Sequence, residues 1–349
     1  MSLFNVTLET LDGQTLNVPC APQQTLLEAA EQAQLRLAAQ CRQGSCGACH
    51  ALVRLGDYVL GEHNPAALPV GAEGQHGILL CRTTPCSDLR VSLPYDSSRI
   101  GHGAFPVREA EVVELVRDGE CTALLALRLL PDADGNGAAA EFEPGQFMEL
   151  AVPELDLKRA YSLANTSNWD ARLEFMIRLQ PNGRFSTWLR EQAQVGSRVQ
   201  VHGPQGAFGL QENGLRPRWF VAGGTGLAPL LSMLRRMAEF QEPHPARLYL
   251  GVTRPAELFG QAALAALQAE LPGLQVVQCV WQAAPDWSGF SGSVVDALRQ
   301  DLAALSGQNG QWPDIYLCGP PGLIDATEAV ARELGVPAEQ VLSERYTPA

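Results

Sequence analysis

The sequence predicts a multidomain protein of the α+β and α/β classes, in which a small antiparallel β-barrel precedes a doubly wound parallel sheet. The chain has 349 residues, more than a single domain of about 100–200 residues would use. Short apolar runs separated by turns recur between residues 110 and 202, which is typical of an antiparallel barrel. After Pro217, apolar strands alternate with helical patterns, as they do in a parallel doubly wound sheet.

The N-terminal region has its own pattern. Residues 4–18 alternate apolar and polar side chains around an Asp12-Gly13 turn, which predicts a β-hairpin. Thr25 followed by Glu28 forms a capping box, so the apolar residues from Leu26 to Leu35 are predicted to lie on a helix. We therefore predict a first domain over residues 1–97. A linker rich in Ser, Gly and Pro follows over residues 98–106.

Two further domains are predicted from the remaining apolar runs. The barrel domain spans residues 107–212, and its predicted strands cover residues 112–116, 124–129, 147–152, 173–179 and 199–202. The parallel-sheet domain spans residues 213–349, with predicted strands at 220–222, 248–252, 276–280 and 315–318 and a helix near 230–240.

Charge and hydropathy exclude several classes of function. The chain carries 25 basic and 38 acidic residues, a formal net charge of −13, which disfavours binding to nucleic acid or to an anionic membrane surface. No apolar run reaches the roughly 18–20 residues that span a bilayer. The first residues also lack a basic segment followed by an apolar one. We expect a soluble, cytoplasmic protein with no nucleic-acid or membrane partner.

One cysteine cluster has the spacing of a metal centre. Three cysteines follow the pattern C-x4-C-x2-C and a fourth lies farther along the chain, the arrangement of plant-type [2Fe–2S] proteins: Cys41, Cys46, Cys49 and Cys81. A loop around two irons needs small residues where its backbone approaches the cluster, and it has them: Gly44, Ser45, Gly47 and Ala48. The alternative is a structural zinc site, which usually has paired C-x2–4-C knuckles and needs no Gly-rich spacer.

Two segments of the barrel domain indicate a flavin site. The first is Arg159-Ala160-Tyr161-Ser162, and the second is Gly183-Arg184-Phe185-Ser186-Thr187 before a short helix. A guanidinium can neutralise a pyrophosphate, a tyrosine ring can lie against an isoalloxazine, and a serine hydroxyl can hydrogen-bond near flavin N5. Amides at the helix start suit a second phosphate contact. Taken singly, each segment also fits an ordinary strand or helix cap.

A glycine turn in the last domain indicates a nucleotide site. Residues 219–229 form a strand, a turn with Gly224, Thr225 and Gly226, and a helix start, the context in which a pyrophosphate approaches a helix N-terminus. The pattern is G-x-G-x-x-P, and no acidic residue stands about 20 positions on to hold a ribose. Cys318-Gly319-Pro320 follows another strand on the same carboxyl edge. The alternatives are a tightly packed turn and a buried thiol.

The order of these motifs resembles the reductase components of benzoate, anthranilate and toluate dioxygenases. In that family a plant-type [2Fe–2S] ferredoxin is fused to domains like those of ferredoxin–NADP reductase. The resemblance covers essentially the whole chain and includes a C-terminal Glu344-Arg-Tyr346-Thr-Pro. It implies an N-terminal β-grasp ferredoxin domain, a six-stranded antiparallel β-barrel that binds FAD, and a C-terminal doubly wound sheet that binds NADH.

The resemblance also implies roles for particular residues. Tyr346 would cover the flavin ring, and Ser162, Thr225 and Cys318 would lie at the reacting atoms. The remaining FAD contacts would come from Met176, Ile177 and Arg178 together with Arg159, Ala160, Tyr161 and residues 183–187. The nucleotide contacts would come from Gly224, Thr225, Gly226, Arg254, Cys318, Gly319 and Pro320. Arg254 could meet the adenosine ribose or a 2′-phosphate, or it could be a solvated loop arginine, so NADPH stays open beside NADH.

The predicted function is electron transfer from NADH to FAD, then to the [2Fe–2S] cluster, and on to a terminal oxygenase that accepts single electrons. The leading acceptor is a Rieske-type dioxygenase of an aromatic acid. One alternative is the reductase of a soluble di-iron monooxygenase that hydroxylates phenols or hydrocarbons. Another is a zinc-stabilised module that senses dinucleotides, which would be colourless where an iron–sulfur flavoprotein is brown-yellow.

Overall fold

The computed structural model describes residues 3–39, 42, 44, 47–68, 73–103, 105–131, 139–212, 214–306 and 311–346. The chain forms two compact units. Residues up to Pro106 form the first unit, together with Gln205–Ala207 and the pair Arg345 and Tyr346, and nearly all the rest forms the second. No helix in these described ranges combines the length and hydropathy that a membrane span requires.

The first unit contains a mixed five-stranded sheet with one helix. Its elements are β1 (Phe4–Glu9), β2 (Thr15–Cys20), α1 (Leu26–Gln32), β3 (Leu35–Arg36), β4 (His50–Leu55), β5 (Tyr58–Leu60), β6 (Gly77–Leu79), β7 (Thr83–Pro85), β8 (Leu89–Ser92) and β9 (Gly101–His102). Short 3-10 helices cover Pro65–Ala67, Glu73–Gln75 and Ser97–Arg99. The strand order is β2-β1-β8-β4-β6, in which β1 and β8 are parallel.

The local predictions for this unit are confirmed except at one point. The β1–β2 hairpin is antiparallel, and both hydrogen bonds of the capping box between Thr25 and Glu28 are present. Leu35 was predicted on the helix and lies instead on β3, because the helix ends at Gln32 and Gln34 has a φ of +60°. That left-handed residue turns the chain, so the apolar run continues as a strand.

The segment predicted as a linker contributes to this unit. Within residues 98–106, β9 pairs with β3, and Gly103 N donates to Gln34 O at 2.9 Å. Just before it, buried Tyr95 accepts a hydrogen bond from Ala38 N at 3.2 Å through its hydroxyl. The chain from β8 to β9 is therefore fixed to the segment that leads into the cysteine loop.

The second unit begins with a six-stranded antiparallel barrel. Its elements are β10 (Val107–Asp118), β11 (Thr122–Leu129), β12 (Phe147–Val152), β13 (Leu157–Ser162), β14 (Arg172–Arg178), α2 (Arg184–Glu191) and β15 (Arg198–Gln205), with a 3-10 helix at Pro153–Leu155. The strand order is β13-β12-β15-β10-β11-β14. An antiparallel bridge between Leu163 and Phe175 joins the two ends of this order, so the sheet closes on itself.

The rest of the second unit is a doubly wound sheet. Its elements are β16 (Arg218–Gly223), α3 (Leu227–Glu239), β17 (Ala246–Val252), α4 (Gln261–Glu270), β18 (Leu274–Val280), β19 (Phe290–Ser291), α5 (Val294–Ser306), β20 (Asp314–Gly319), α6 (Pro321–Leu334) and β21 (Val341–Arg345), with 3-10 helices at Gly224–Gly226, Pro255–Glu257 and Ala338–Gln340. The strand order is β19-β18-β17-β16-β20-β21, and β16 is parallel to both its neighbours. The order reverses between β16 and β20, which is where ligands of such sheets bind.

Helix α3 connects this sheet to the barrel. Ser232 Oγ donates to Asn165 O at 2.6 Å, and Arg235 pairs with Glu174 at 2.7 Å. The Arg235 guanidinium also donates to Ala164 O at 2.9 Å. These contacts fix α3, which begins at the glycine turn, against the strands β13 and β14 that carry the flavin motif.

Candidate functional site

Two of the four predicted cluster ligands lie side by side. Cys49 and Cys81 are both buried, and their sulfur atoms are 3.3 Å apart. This distance exceeds the roughly 2.05 Å of a disulfide and suits two sulfurs that bind one metal centre. Cys41 and Cys46 lie outside the described residues, as does Ser45.

The glycines of the cysteine loop are needed for a close approach of the backbone. Gly44 and Gly47 have φ values of +76° and +78°. A Cβ on Gly47 would lie 2.5 Å from Ala67 O, and one on Gly44 would lie 2.7 Å from Arg82 Cγ. A side chain at either position would displace the loop, which is the constraint expected of a loop wrapped around an inorganic cluster. The residues present therefore fit a [2Fe–2S] group.

The two arginines beside the predicted ligands have different surroundings. Arg42 pairs with Glu31 at 2.8 Å, which offsets its charge. Arg82 donates from Nε to Glu62 O at 2.8 Å and packs over Gly44. Of the two, Arg82 brings the less compensated positive charge to the loop.

The flavin motif lies on adjacent elements of the barrel. Strand β13 carries Arg159, Ala160, Tyr161 and Ser162, and β14 carries Met176, Ile177 and Arg178. The hydrogen bond from Ala164 N to Glu174 O, 2.8 Å long, holds the two strands together where the barrel closes. The structure thus brings these predicted FAD contacts to one edge of the barrel. Arg159 Nη1 donates to Lys158 O in its own strand, at 2.7 Å.

Helix α2 packs on the same edge. The Tyr161 and Phe185 rings are 5.0 Å apart between centroids, and the Phe185 and Trp188 rings are 5.2 Å apart. Burial raises the pKa of Tyr161, so the ring stays neutral. Gly183 is the N-cap of α2 and Arg184 its first residue.

Some polar groups at the start of α2, whose Ser186 and Thr187 amides are predicted to contact a phosphate, have partners within the protein. The Ser186 hydroxyl accepts from Gln180 N at 2.9 Å, and Thr187 N donates to Gly183 O at 2.8 Å inside the helix. Ser186 therefore ties the β14–α2 loop to the helix through its side chain. The Thr187 hydroxyl accepts from Arg190 Nη2 at 3.3 Å and can donate its own hydrogen to a phosphate, as can the Ser186 amide.

The glycine turn and the Cys318 loop lie against each other. Strand β16 pairs with β20 so that Ala222 is opposite Cys318. A Cβ on Gly226 would lie 2.1 Å from Cys318 O, and one on Gly223 would lie 2.9 Å from Pro320 Cδ. Thr225 lies between Gly224 and Gly226 in the 3-10 turn that begins α3. The predicted nucleotide residues therefore share the carboxyl edge of the sheet, and the absence of side chains there suits a dinucleotide.

A buried carboxyl group lies where the barrel meets the sheet. Ser162 Oγ donates to Glu344 Oε2 at 3.4 Å, and Glu344 is 6 % exposed. Burial raises the pKa of Glu344 to about 8, while the hydrogen bond from Ser162 lowers it slightly. Burial and then the Glu344 charge raise the pKa of the Cys318 thiol well above its ordinary value. Sequence reasoning assigned no role to Glu344, although the C-terminal Glu-Arg-Tyr string was the signal that pointed to it.

The burial of Glu344 predicts a pH-dependent stability. The pKa of the Glu344 carboxyl group is about 8 in the folded chain and 4.5 in the unfolded chain. Its contribution to the free energy of unfolding is therefore fully present below pH 4.5 and is lost as the pH rises toward 8. Over that range the wild type should lose on the order of 3–5 kcal/mol in its free energy of unfolding, and Glu344→Gln should not show this loss. The melting temperature should therefore fall between pH 5 and pH 8.5 in the wild type and stay nearly constant in the variant.

The control is Glu339→Gln, which changes the same charge at an exposed position shortly before β21. Its melting temperature should follow the wild type at both pH values. Equal pH dependence in Glu344→Gln and the wild type would show that Glu344 is not held in an apolar environment.

Two remaining predicted residues follow strand ends. Arg254 lies beyond β17 and pairs with Glu120 at 2.8 Å and with Glu257 at 3.0 Å. Glu257 is buried at this strand end. It lies more than about 20 positions beyond the glycine turn, which is the spacing expected of an acidic residue that holds a ribose. Tyr346 follows β21 directly in sequence.

Comparison with known proteins matches a different family model to each of three successive parts of the chain. The family model "2Fe-2S iron-sulfur cluster binding domain" matches residues 9–86. The model "Oxidoreductase FAD-binding domain" matches residues 121–209, and "Oxidoreductase NAD-binding domain" matches residues 220–329. The chain therefore uses a [2Fe–2S] cluster, FAD and NADH. The matches fall inside the predicted domains 1–97, 107–212 and 213–349, whose bounds stay predictions.

Several relatives are similar to this chain over most of its length. Methane monooxygenase component C of Methylosinus trichosporium is 38% identical over 302 residues, 86% of this chain and 87% of the relative. The anthranilate 1,2-dioxygenase electron transfer component of Acinetobacter baylyi is 34% identical over 345 residues, 98% of this chain and 97% of the relative. The crystal structure of the Amycolatopsis cytochrome P450 reductase GcoB has a TM-score of 0.75 and 30% identity and covers 99% of both chains. This chain belongs to the three-domain NADH-dependent iron–sulfur flavoprotein reductases, the type of the anthranilate and toluate dioxygenase electron transfer components.

Proposed function

We propose that this chain is the reductase component of an aromatic-ring dioxygenase of the Rieske type. One observation carries the proposal: a single chain contains cluster, flavin and nucleotide domains in that order, and its relatives include dioxygenase electron transfer components. A chain with these domains takes electrons in pairs from NADH and delivers them singly. Such a delivery suits an oxygenase whose metal centres accept one electron at a time.

The protein's own residues bind and orient the cofactors in this proposal. Bound FAD supplies a hydride acceptor and the bound cluster a one-electron relay. Arg159 neutralises the FAD pyrophosphate, and Tyr161 lies against the flavin. The backbone of the glycine turn holds the dinucleotide pyrophosphate, which leaves Thr225 and Cys318 beside the nicotinamide. Orientation is the main task here, because hydride transfer needs no protein acid or base.

Ser162 and Glu344 give the reacting edge of the flavin a proton reservoir. Glu344 is largely protonated at neutral pH because burial raises its pKa to about 8. Its Oε2 lies 3.4 Å from Ser162 Oγ, so the Glu344 carboxyl group could replace a hydroxyl proton that Ser162 would give to bound FAD. Tyr346 covers the flavin ring, and Cys41 and Cys46 complete the cluster ligands with Cys49 and Cys81.

A second acceptor class has support from the relatives that are named as monooxygenase components. Methane monooxygenase component C is 38% identical, the higher of the two identities, which favours a di-iron monooxygenase. The anthranilate component is similar over 98% of this chain, so the match includes nearly all of the cluster domain that would meet the acceptor. We therefore propose the dioxygenase as the first candidate for the electron acceptor and the di-iron monooxygenase as the second.

Reconstitution with purified acceptors tests the choice. The protein is mixed with NADH and, in parallel, with a Rieske aromatic-ring dioxygenase, a di-iron hydroxylase and a cytochrome P450. We expect the rate of acceptor reduction under anaerobic conditions to be about tenfold higher for the Rieske protein, since cognate interfaces bind more tightly. Faster reduction of the di-iron protein would favour the second candidate, and reduction of the cytochrome alone would contradict both.

A further inference from the structure

Two hydrogen bonds join the β10–β11 turn of the barrel to residues 254–260 of the sheet domain, which follow β17 and are called the 254–260 loop below. Glu120 N donates to Ala256 O at 2.8 Å, and Gly260 N donates to Asp118 Oδ2 at 2.7 Å. Gly260 is the N-cap of α4, so the Asp118 carboxylate lies where the helix dipole favours a negative charge. Both bonds involve the backbone of the 254–260 loop and therefore fix the position of its main chain.

Gly119, at the centre of this contact, allows the two backbones to approach closely. Its φ is +68°, and a Cβ on it would lie 2.5 Å from Leu258 O and 3.3 Å from Glu257 O. Backbone oxygens cannot rotate away as the end of a side chain can, so glycine is required here. Any larger residue at this position would push the β10–β11 turn and the 254–260 loop apart.

Ion pairs extend the contact to the flavin strand. Arg254 Nη2 lies 2.8 Å from Glu120 Oε2, and Arg254 Nε lies 3.0 Å from Glu257 Oε1. Glu257 is buried, and its Oε2 lies 3.8 Å from Nη2 of Arg178, which belongs to β14. The 254–260 loop therefore meets the strand that carries predicted FAD contacts as well as the β10–β11 turn.

The 254–260 loop also lies next to the glycine turn. A Cβ on Gly260 would lie 3.2 Å from Leu227 Cδ2 and 3.6 Å from Met176 Cε. Leu227 is the first residue of α3, directly after the glycine turn, and Met176 is one of the predicted FAD contacts on β14. The backbone at Gly260 is therefore close to both predicted sites, so a shift of this loop would change the distance between them.

We propose that Asp118 and Gly119 are positioning residues for hydride transfer, because they fix the nicotinamide edge of the sheet relative to the flavin edge of the barrel. The proposal rests on the proposed function, in which NADH reduces FAD. Hydride transfer depends steeply on the separation and alignment of the reacting atoms. In the proposed function NADH binds at the glycine turn and the Cys318 loop, which both belong to the sheet. Loss of the contact should therefore slow hydride transfer without weakening the binding of NADH.

Anaerobic stopped-flow mixing of the FAD-loaded protein with NADH tests the proposal. This experiment separates the limiting rate of flavin reduction from the apparent Kd for NADH. For Gly119→Ala we expect the limiting rate to fall about tenfold to 100-fold, since a misplacement of about 1 Å can cost 100-fold in rate. The apparent Kd should stay within about twofold of the wild-type value, because the groups that bind NADH are unchanged.

Gly196→Ala is the matched control. Gly196 also lies in the barrel domain with a positive φ, +93°, but a Cβ there would have nothing within 4 Å. Alanine is strained in this conformation at both positions, so the melting temperatures of both variants should fall. Only Gly119→Ala should slow flavin reduction, which separates the positioning effect from a general loss of stability.

Asp118→Ala tests the same contact without added bulk and decides the matter where Gly119→Ala does not fold. It removes the acceptor of Gly260 N, so we expect the limiting rate to fall about fivefold, whereas Asp170→Ala, at an exposed position elsewhere on the barrel, should match the wild type. A wild-type limiting rate in Asp118→Ala or in folded Gly119→Ala would overturn the proposal, as would a raised Kd with an unchanged limiting rate. A wild type whose flavin is not reduced by NADH would instead refute the proposed function.

Discussion

Replacing Cys81 by serine is expected to abolish cytochrome c reduction while NADH-dependent ferricyanide reduction continues. Cys81 is buried with its sulfur 3.3 Å from that of Cys49, so its loss would remove one of the four thiolates that we propose hold the cluster. Ferricyanide can take electrons from the flavin, whereas cytochrome c depends on the cluster. We expect a fall of about 100-fold or more in cytochrome c reduction. Visible absorbance should show a flavin band without the cluster bands.

Cys86→Ser is the matched control. Cys86 is an exposed thiol a few residues beyond Cys81, so this substitution should leave both activities and the cluster spectrum at wild-type levels. Simultaneous loss of both activities in Cys81→Ser, with FAD still bound, would contradict the separation of the cluster domain from the flavin and nucleotide domains.

Replacing Gly226 by alanine is expected to disable the use of NADH. A Cβ at this position would lie 2.1 Å from Cys318 O, a backbone atom that cannot rotate away. The glycine turn and the Cys318 loop must then separate, which moves the two backbone segments between which we propose that the nicotinamide binds. Because misplacement by about 1 Å can cost 100-fold in rate, we expect kcat/KM for NADH to fall about 100-fold. Dithionite should still reduce both cofactors.

Gly273→Ala separates this steric effect from a general effect of alanine. Gly273 lies before β18, and a Cβ there would have nothing within 4 Å. Its kcat/KM for NADH should equal that of the wild type. Wild-type kinetics and melting temperature in Gly226→Ala would show that the two loops are not in close contact.

Local sequence patterns were sufficient for most of the fold. Alternation and capping residues act over a few positions, so the β1–β2 hairpin and the start of α1 were predictable from the local order of residues. The apolar runs near 248 and 315 became β17 and β20 for the same reason. Leu35 was misplaced because an apolar residue fits a helix and a strand equally well. The left-handed Gln34 that ends the helix carries no strong signal in the sequence.

The parts of the site that could not be predicted depend on contacts between distant segments. Glu344 is an ordinary glutamate in sequence, and its raised pKa arises from burial beside Ser162, 182 residues earlier. The pairing of Glu120 with Arg254 requires the barrel turn to reach the loop after β17. The cysteine and glycine motifs were predictable because their chemistry depends on spacing within a short segment.

An anaerobic titration with NADH, followed by visible absorbance and low-temperature EPR, tests the central claim most directly. A chain that holds one FAD and one [2Fe–2S] cluster takes up three electrons, so reduction should end after about one and a half equivalents of NADH. The flavin band should bleach, and a reduced-cluster EPR signal should appear with it. Bleaching that ends at one equivalent with no EPR signal would show that electrons do not pass from the flavin to the cluster, and would contradict the account.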